Sequence, residues 1–432
     1  MNSFDYFQLV FENPLLYACS LVIVLFVYYL VFKKYFISII DPFTFTMFFS
    51  SMAITVPVFL FFVDKISNEN FISFLITQLF FFIGFRMFSP IDIKKNINTK
   101  SFGKDNRQNI IFAKWFFIIV GLINISLQLF SYKINGIPLF SQSRLSIYGE
   151  SGGINNLLKR ILEVSFQCYI FMTIFFIYYK KKNFLFKFYT SISILFIVAF
   201  SLFSGSKAAF ISFGLAFFIY ALYAMRWGDN TIFNTIKKFT LKFALVAVFL
   251  AVLVIVFSEK TSNPLIFILL RIAQSGDVYY MAYPNEIIDK IPSGNWFVSL
   301  FGSPLSLLGI IPRSIIPYPM GFQLMEYHHP GVEFKGPNAR MNVFSYVYFG
   351  IVYSPIYCFI IGYVLSFFRN KLFYLLPANI FGCIFYYLFL NAALKLEPDF
   401  HSSLAEFINI LVILPFFLFS SLILTSNTNH EQ

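Results

Sequence analysis

The sequence predicts an all-α polytopic integral membrane protein. Of its 432 residues, 58% are hydrophobic and only 12% are charged, which is about half the charged share of a soluble domain. The mean hydropathy is +0.74. The apolar runs are continuous rather than alternating, which favours membrane helices over the strands of a barrel. This composition excludes a soluble enzyme and a disordered chain.

The apolar runs are long enough to span a bilayer, since a helix needs about 20 apolar residues to cross the hydrocarbon core. They predict about eleven spans, at 15–32, 43–63, 71–88, 110–132, 161–179, 188–204, 208–225, 241–257, 342–366, 372–394 and 407–424. Lysines and arginines concentrate in alternate connectors, such as 94–107, 180–187 and Arg369 with Lys371. The positive-inside rule assigns those connectors to the cytoplasm, which leaves the N-terminus outside and the C-terminus inside.

Two large loops then fall on the external side of a single transmembrane domain formed by residues 1–432. They cover residues 133–160 and 258–341. The second loop is too long for a simple connector. Its apolar segments, 264–270 and 296–311, are shorter than a normal span and carry Gly and Pro. We expect them to form interfacial or re-entrant helices.

The net charge of +12 does not indicate a nucleic-acid partner, because the basic residues lie between apolar runs rather than on one face. The four cysteines lie within apolar runs and are expected to act as small hydrophobic residues. No cofactor and no metal site are expected. The turn with Glu397, Asp399 and His401 has carboxylates that could bind a divalent metal, but we expect it to be a solvated loop.

Cations on the external side are unusual under the positive-inside rule. An arginine side chain presents a planar fork that binds phosphate through two hydrogen bonds. The predicted diphosphate-binding cations are Arg144, Lys207, Arg271, Arg313 and Arg340. We expect them to converge on a lipid diphosphate at the membrane surface. The alternative is that each cation pairs with a local carboxylate or a lipid headgroup.

The same loops contain groups that can accept a proton near neutral pH. The candidate catalytic bases are Glu150, His328, His329 and Glu333, and the alternative for each is a solvated loop residue. Aromatic residues of the second loop could stack on sugar rings or form an interfacial belt. They are Tyr279, Tyr280, Tyr283, Trp296, Tyr318 and Tyr327.

Four segments carry a family resemblance. They are the GIPLFS…R…YGE-x-GG loop at 136–153, the SGSKA turn at 204–208, the R…G…Y stretch at 271–279, and RMNV at 340–343, which leads into YVYFG. Together with about a dozen spans and two enlarged loops, they resemble Wzy-type O-antigen polymerases, the oligosaccharide repeat unit polymerases. The chain departs from that family at Lys207, where the turn usually carries Arg, and this weakens bidentate phosphate binding there.

The resemblance implies a specific activity at the periplasmic face of the bacterial inner membrane. A glycan chain on undecaprenyl diphosphate is transferred to the next lipid-linked repeat unit, and lipid diphosphate is the leaving group. The fold implied is similar to that of the membrane-embedded GT-C glycosyltransferases. The implied partners are undecaprenyl-diphosphate-linked glycans, membrane lipids and a polysaccharide chain-length regulator.

Two other functions remain open at this point. An O-antigen ligase differs from a polymerase only in its acceptor. A lipid-linked oligosaccharide flippase is a different class, and it should line a central cavity with charges inside the membrane. The predicted spans are almost uncharged, and this favours an enzyme over a flippase.

Overall fold

The computed structural model describes residues 1–92, 107–140, 153–179, 183–204, 209–226, 231–235, 238, 270, 272–292, 294–307, 309–331 and 336–430. Its α-helices are α1 (Ser3–Glu12), α2 (Pro14–Phe32), α3 (Pro42–Phe62), α4 (Asn68–Phe85), α5 (Arg107–Asn135), α6 (Gly153–Tyr178), α7 (Phe184–Phe203), α8 (Ala209–Arg226), α9 (Asp277–Ala282), α10 (Trp296–Leu307), α11 (Met320–His328), α12 (Met341–Ser366), α13 (Ile380–Leu394) and α14 (Phe400–His430). Eight helical stretches in the described ranges are long and apolar enough to cross a membrane. The predicted all-helical, membrane-embedded class is thereby confirmed.

The chain forms two compact units, each built from separate stretches of sequence. The first contains Met1–Ile91, Leu265–Tyr374 and Leu390–Ala405. The second contains Asp92–Pro264, Leu375–Phe389 and Glu406–Gln432. The predicted span at 241–257 lies outside the described residues.

Helix α3 is the centre of the first unit, because most of its side chains are buried. Its start is set by Asp41, whose carboxylate accepts a hydrogen bond from the Phe43 amide at 3.1 Å, and by Pro42 at the first helical position, where no amide donor is needed. Phe43 stacks on Phe85 of α4 with ring centroids 4.7 Å apart. Asp41 also pairs with the buried Arg369 guanidinium at 2.5 Å. Arg369, one of the two cations assigned to a basic connector, is therefore buried and paired.

Helix α12 is broken at Gly350, where a single straight span was predicted. Gly350 has φ 65° and ψ −178°, a backbone conformation that only glycine adopts readily. Residues 341–349 and 351–366 therefore fold back on each other. Ser345 Oγ lies 3.5 Å from Cys358 Sγ, and the rings of Phe344 and Tyr357 are 5.6 Å apart.

The second half of α12 crosses α4 at very short range. A Cβ added to Gly84 would lie 2.1 Å from the carbonyl oxygen of Phe359, and one added to Gly362 would lie 2.2 Å from that of Phe81. Small residues at a crossing let two membrane helices approach closely enough for backbone packing. This crossing fixes α12 against α4.

The first half of α12 begins level with the middle of α4 rather than at its end. Asn342, the second residue of α12, donates its side-chain amide to Thr77 in the middle of α4, and the helix is broken at Gly350. Residues 341–349 are thus a half-length helix that starts inside the bundle. Gly276, just before α9, also lies beside the middle of α3, since its Cβ would be 2.4 Å from the Ala53 carbonyl oxygen.

The second unit has a polar stripe between two of its helices. Gln167 of α6 donates to Glu406 of α14 at 2.6 Å. One to two turns away, Arg160 donates to Asn409 at 3.2 Å, and Asn409 lies 3.5 Å from Glu163. Polar contacts of this kind hold apolar helices together in a fixed register.

The predicted span at 372–394 is interrupted in the structure. A single turn at Leu372–Leu375 is followed by four non-helical residues before α13 begins at Ile380. Pro377 lies in this gap, and a proline removes a backbone donor and breaks a helix.

Of the four cysteines, Cys19 is exposed and the other three are buried, in accord with a role as small core residues.

The turn at Gly350 gives a first prediction. Gly350→Ala should destabilise the protein by about 1–3 kcal/mol, because alanine must adopt a strained backbone at this φ and ψ. The measurement is the thermal unfolding midpoint of the detergent-purified protein. Gly214→Ala in α8 is the control, since its added Cβ meets nothing within 4 Å and alanine favours a helix. Equal midpoints for the two variants would contradict the strained turn.

Candidate functional site

A buried ion pair lies at the start of the half-length helix in the first unit. Arg340 Nη1 is 2.7 Å from Glu397 Oε1, and the two side chains are 9% and 0% exposed. The second guanidinium nitrogen, Nη2, donates to the Ser275 carbonyl oxygen at 3.4 Å. The segment before α9 therefore also contacts the guanidinium. Glu397 was predicted to lie in a solvated turn, and this prediction is wrong.

Glu397 has two further contacts. Ser50, near the middle of α3, donates its hydroxyl to Oε2. The Glu397 backbone carbonyl accepts the Met341 amide at 3.0 Å. One residue of the turn between α13 and α14 thus contacts both the Arg340 side chain and the first amide of α12.

Neutral polar groups surround this ion pair. Tyr279 donates its hydroxyl to Asn342 Oδ1 at 2.8 Å, and Asn342 donates its amide to Thr77 Oγ1 at 2.9 Å. On α4, the Gln78 amide donates to the Tyr28 hydroxyl at 3.1 Å. We call the ion pair and these residues the central polar cluster.

A second polar group joins α10 to the start of α14. His401 Nε2 lies 2.9 Å from the Ser299 carbonyl oxygen and 3.2 Å from its hydroxyl, and that hydroxyl donates to Tyr348 at 2.8 Å. Because Nε2 faces a carbonyl acceptor, it carries the proton. It therefore does not act as a base toward Ser299, and the Ser299–His401 contact is a structural link.

His328 is the candidate base that the structure describes in most detail. Its Nε2 lies 2.9 Å from the Met281 carbonyl oxygen, so Nε2 is the protonated nitrogen and Nδ1 is the acceptor of the neutral ring. Burial lowers the pKa of His328 below its ordinary value of 6.5, and the Met281 hydrogen bond opposes this shift. His329, the next residue, is exposed.

The other predicted site residues are described less fully. Arg144, Glu150, Lys207, Arg271 and Glu333 lie outside the described residues. Arg313 begins a 3₁₀ turn, Arg313–Ile315. Of the predicted site residues, the described part of the chain thus gives side-chain contacts for Arg340 and His328.

The aromatic residues divide into two groups. Tyr279, Tyr280 and Tyr283 are buried, whereas Trp296, Tyr318 and Tyr327 are exposed. Tyr280 stacks on Tyr6 with centroids 4.4 Å apart. The buried group is therefore core packing of the first unit, and the exposed group retains the two predicted roles, sugar stacking and an interfacial belt.

Two features of this site were missed from the sequence. Ser50 was not considered, because a serine in an apolar run carries no signal of a distant carboxylate partner. Glu397 was treated as solvated because only the residues of its own turn were considered. Arg340 and Glu397 are 57 positions apart. A charged residue followed by an apolar run could have signalled a buried pair, since such charges need partners.

Among the described residues, no group of three or more His, Cys, Asp or Glu side chains could hold a metal ion. No protein-family model, curated protein or solved structure matches the chain.

The central polar cluster gives a second prediction. Tyr279→Phe should lower the free energy of unfolding by about 1–3 kcal/mol, because the buried side-chain oxygen of Asn342, Oδ1, loses its hydrogen-bond donor. Thermal unfolding in detergent measures the change. Tyr318→Phe is the matched control, since Tyr318 is 62% exposed. If Tyr279→Phe and Tyr318→Phe have the same unfolding midpoint, the Tyr279 hydrogen bond contributes nothing to stability.

Proposed function

We propose that the protein polymerises undecaprenyl-diphosphate-linked oligosaccharide repeat units into O-antigen or capsular polysaccharide. The observation that carries the proposal is Arg340, a guanidinium held inside an apolar bundle with 9% of its side chain exposed. Arg340 is also the first residue of the RMNV segment that resembles the polymerase family. A charge inside a membrane bundle generally marks a functional site, and a guanidinium suits a phosphate ligand.

The described contacts connect this cation with a candidate base. Arg340 contacts the Ser275 carbonyl oxygen, and His328 contacts the Met281 carbonyl oxygen. Ser275 and Met281 are six residues apart, on a segment made of a 3₁₀ turn, Gln274–Gly276, and α9. Contacts to one short segment suit a reaction in which a cation holds the leaving group and a nearby base takes a proton.

The proposed reaction is a glycosyl transfer. An acceptor sugar hydroxyl attacks the anomeric carbon of the donor, a C–O bond forms, and the bond to the lipid diphosphate breaks with its electron pair on oxygen. Arg340 and the predicted cations Arg144, Lys207, Arg271 and Arg313 neutralise that leaving group. The acceptor proton passes to a base from the set Glu150, His328, His329 and Glu333.

The proposal includes a topology. The eight membrane-length stretches, the two shorter apolar helices Ser212–Arg226 and Ile380–Leu394, and the predicted span at 241–257 make about eleven spans. The positive-inside rule then assigns the loops 133–160 and 258–341 to the periplasmic face of the inner membrane. This is the face on which a GT-C-like enzyme would meet lipid-linked donors.

A transporter of lipid-linked oligosaccharides is the second candidate. The observation in its favour is the Arg340–Glu397 ion pair, which lies level with the middle of α3 where Ser50 contacts Glu397, at the start of a half-length helix. Discontinuous helices and buried charges near the midplane are typical of transporters. This charged pair weakens the sequence-based argument that the spans are nearly uncharged. The polymerase proposal is preferred because the resembling segments belong to an enzyme family.

A third prediction tests the polymerase directly. Purified wild-type protein should extend undecaprenyl-diphosphate-linked repeat units into polymer without added nucleotide. Arg340→Ala should lower kcat/KM at least about 100-fold, because the leaving group loses a charge-assisted contact, and Arg340→Lys should restore only part of it. Polymer length on gels and the folded fraction by size-exclusion chromatography are the measurements.

The alternatives give different outcomes in a deletion strain. Loss of a polymerase leaves a single repeat unit on the lipopolysaccharide core, whereas loss of a ligase leaves naked core and long lipid-linked polymer. Loss of a flippase leaves repeat units unpolymerised on the cytoplasmic leaflet. Full polymer from folded Arg340→Ala would refute the diphosphate role of this residue.

A fourth prediction concerns pH. If His328 is the base, its ring must be neutral. Because burial lowers the pKa of His328 below its ordinary value of 6.5, kcat/KM should fall with decreasing pH, and the midpoint of this fall should lie below pH 6.5. His328→Gln should remove this acid limb and lower the plateau by about 10²- to 10⁴-fold. Glu326→Gln, an exposed change on the same helix, should leave the profile intact. An acid limb that persists in His328→Gln would assign the base to another residue.

A further inference from the structure

Glu397 contacts Arg340 through its side chain and also contacts the next residue through its backbone. A simple counter-charge would require only the side-chain contact. Its Oε1 accepts from the Arg340 guanidinium at 2.7 Å, while its backbone carbonyl accepts from the Met341 amide at 3.0 Å. The first contact fixes the side-chain tip of Arg340, and the second fixes the chain immediately after its Cα. One residue thus restrains both ends of the Arg340 side chain.

Glu397 is itself restrained from several directions. Ser50 on α3 donates to its second carboxylate oxygen. Pro398 follows it, and a proline disfavours the helical backbone at the residue before it. The turn is held to α13, because the Ser403 hydroxyl donates to the Ala392 carbonyl at 2.7 Å. These contacts therefore restrain both the Glu397 carboxylate and the turn that carries it.

The exposure of the two partners is unequal. The Arg340 side chain retains 9% of its surface, whereas Glu397 has none. Glu397 is therefore the more deeply buried partner of the ion pair. Replacing a buried ion pair by apolar residues is often neutral or stabilising, so holding the helices together does not by itself require these charges.

We propose that Glu397 is a positioning residue that holds the Arg340 guanidinium in the orientation in which it binds the diphosphate group. This inference rests on the proposed function for the identity of the ligand. Glu397 does not touch the substrate; it acts through Arg340, and Ser50 acts through Glu397. The buried pair Asp41–Arg369 at the other end of α12 is an ion pair without this arrangement and serves as a matched control.

The decisive variant is Glu397→Asp, which keeps the charge and retracts it by one methylene. A positioning role predicts a fall in kcat/KM of about 10- to 100-fold, because a misplacement of about 1 Å can cost that much. A counter-charge role predicts nearly wild-type kcat/KM. Ser50→Ala should lower kcat/KM about two- to tenfold, the effect of losing one hydrogen bond.

A charge swap separates positioning from helix clamping. The double variant Arg340→Glu with Glu397→Arg should recover the unfolding midpoint lost in Arg340→Ala, and should stay inactive, because the cation then stands where the carboxylate stood. Recovery of activity in the swap would overturn the inference. Asp41→Asn should lower the unfolding midpoint and leave kcat/KM per folded molecule unchanged.

A binding measurement keeps the inference distinct from the proposed function. Inorganic diphosphate titrated into the full-length protein in detergent should bind wild type, and Glu397→Asp should weaken its Kd about tenfold or more. If wild type binds diphosphate, Glu397→Asp binds it more weakly and no polymer forms, the polymerase proposal fails and the positioning role stands. The positioning role is refuted if Glu397→Asp matches wild type in its Kd for diphosphate or in kcat/KM. If Glu397→Asp does not fold, Ser50→Ala decides instead, and a Ser50→Ala variant indistinguishable from wild type refutes the role.

Discussion

The structure of the first unit depends on the desolvation of one charge. Arg340 lies inside an apolar bundle, and removing an ion from water costs several kcal/mol even after relaxation. The Glu397 carboxylate, the Ser275 carbonyl and the groups around them offset that cost. Because these partners come from α3, from the segment before α9 and from the turn after α13, placing the charge also places those elements.

A second buried pair gives the same bundle a second fixed point. Asp41 starts α3 through its hydrogen bond to Phe43 and also pairs with Arg369, beyond the far end of α12. The central polar cluster contacts α3 near its middle through Ser50. Helix α12 is thus tied to α3 near both of its ends, and between these ties it turns at Gly350 and crosses α4 where Gly84 and Gly362 leave no side chain.

The sequence predicted most of the helices, because long apolar runs specify a membrane helix by composition alone. The break at Gly350 was not predicted, since a glycine within an apolar run reads as a tolerated residue until its φ is known. Arg340 was recognised as a candidate because it is a cation in a loop assigned to the external side. Its partner could not be predicted, because Glu397 is distant in the chain and its turn has the composition of a solvated loop. Pairing between distant turns depends on tertiary packing, which a single sequence does not record.

The two fixed points of α12 also constrain how the chain is assembled. Ser50 and Glu397 are 347 residues apart, and Asp41 and Arg369 are 328 apart. At a synthesis rate of 5–20 residues per second, roughly 16 to 70 seconds separate the emergence of the partners. Helices α2 to α4 therefore enter the membrane well before their charged partners exist, and the contact between Ser50 and Glu397 forms only after Glu397 has been translated. The first unit therefore assembles after these helices have inserted into the membrane. Until Arg369 has been synthesised, water, lipid headgroups or the insertion machinery must shield the Asp41 carboxylate.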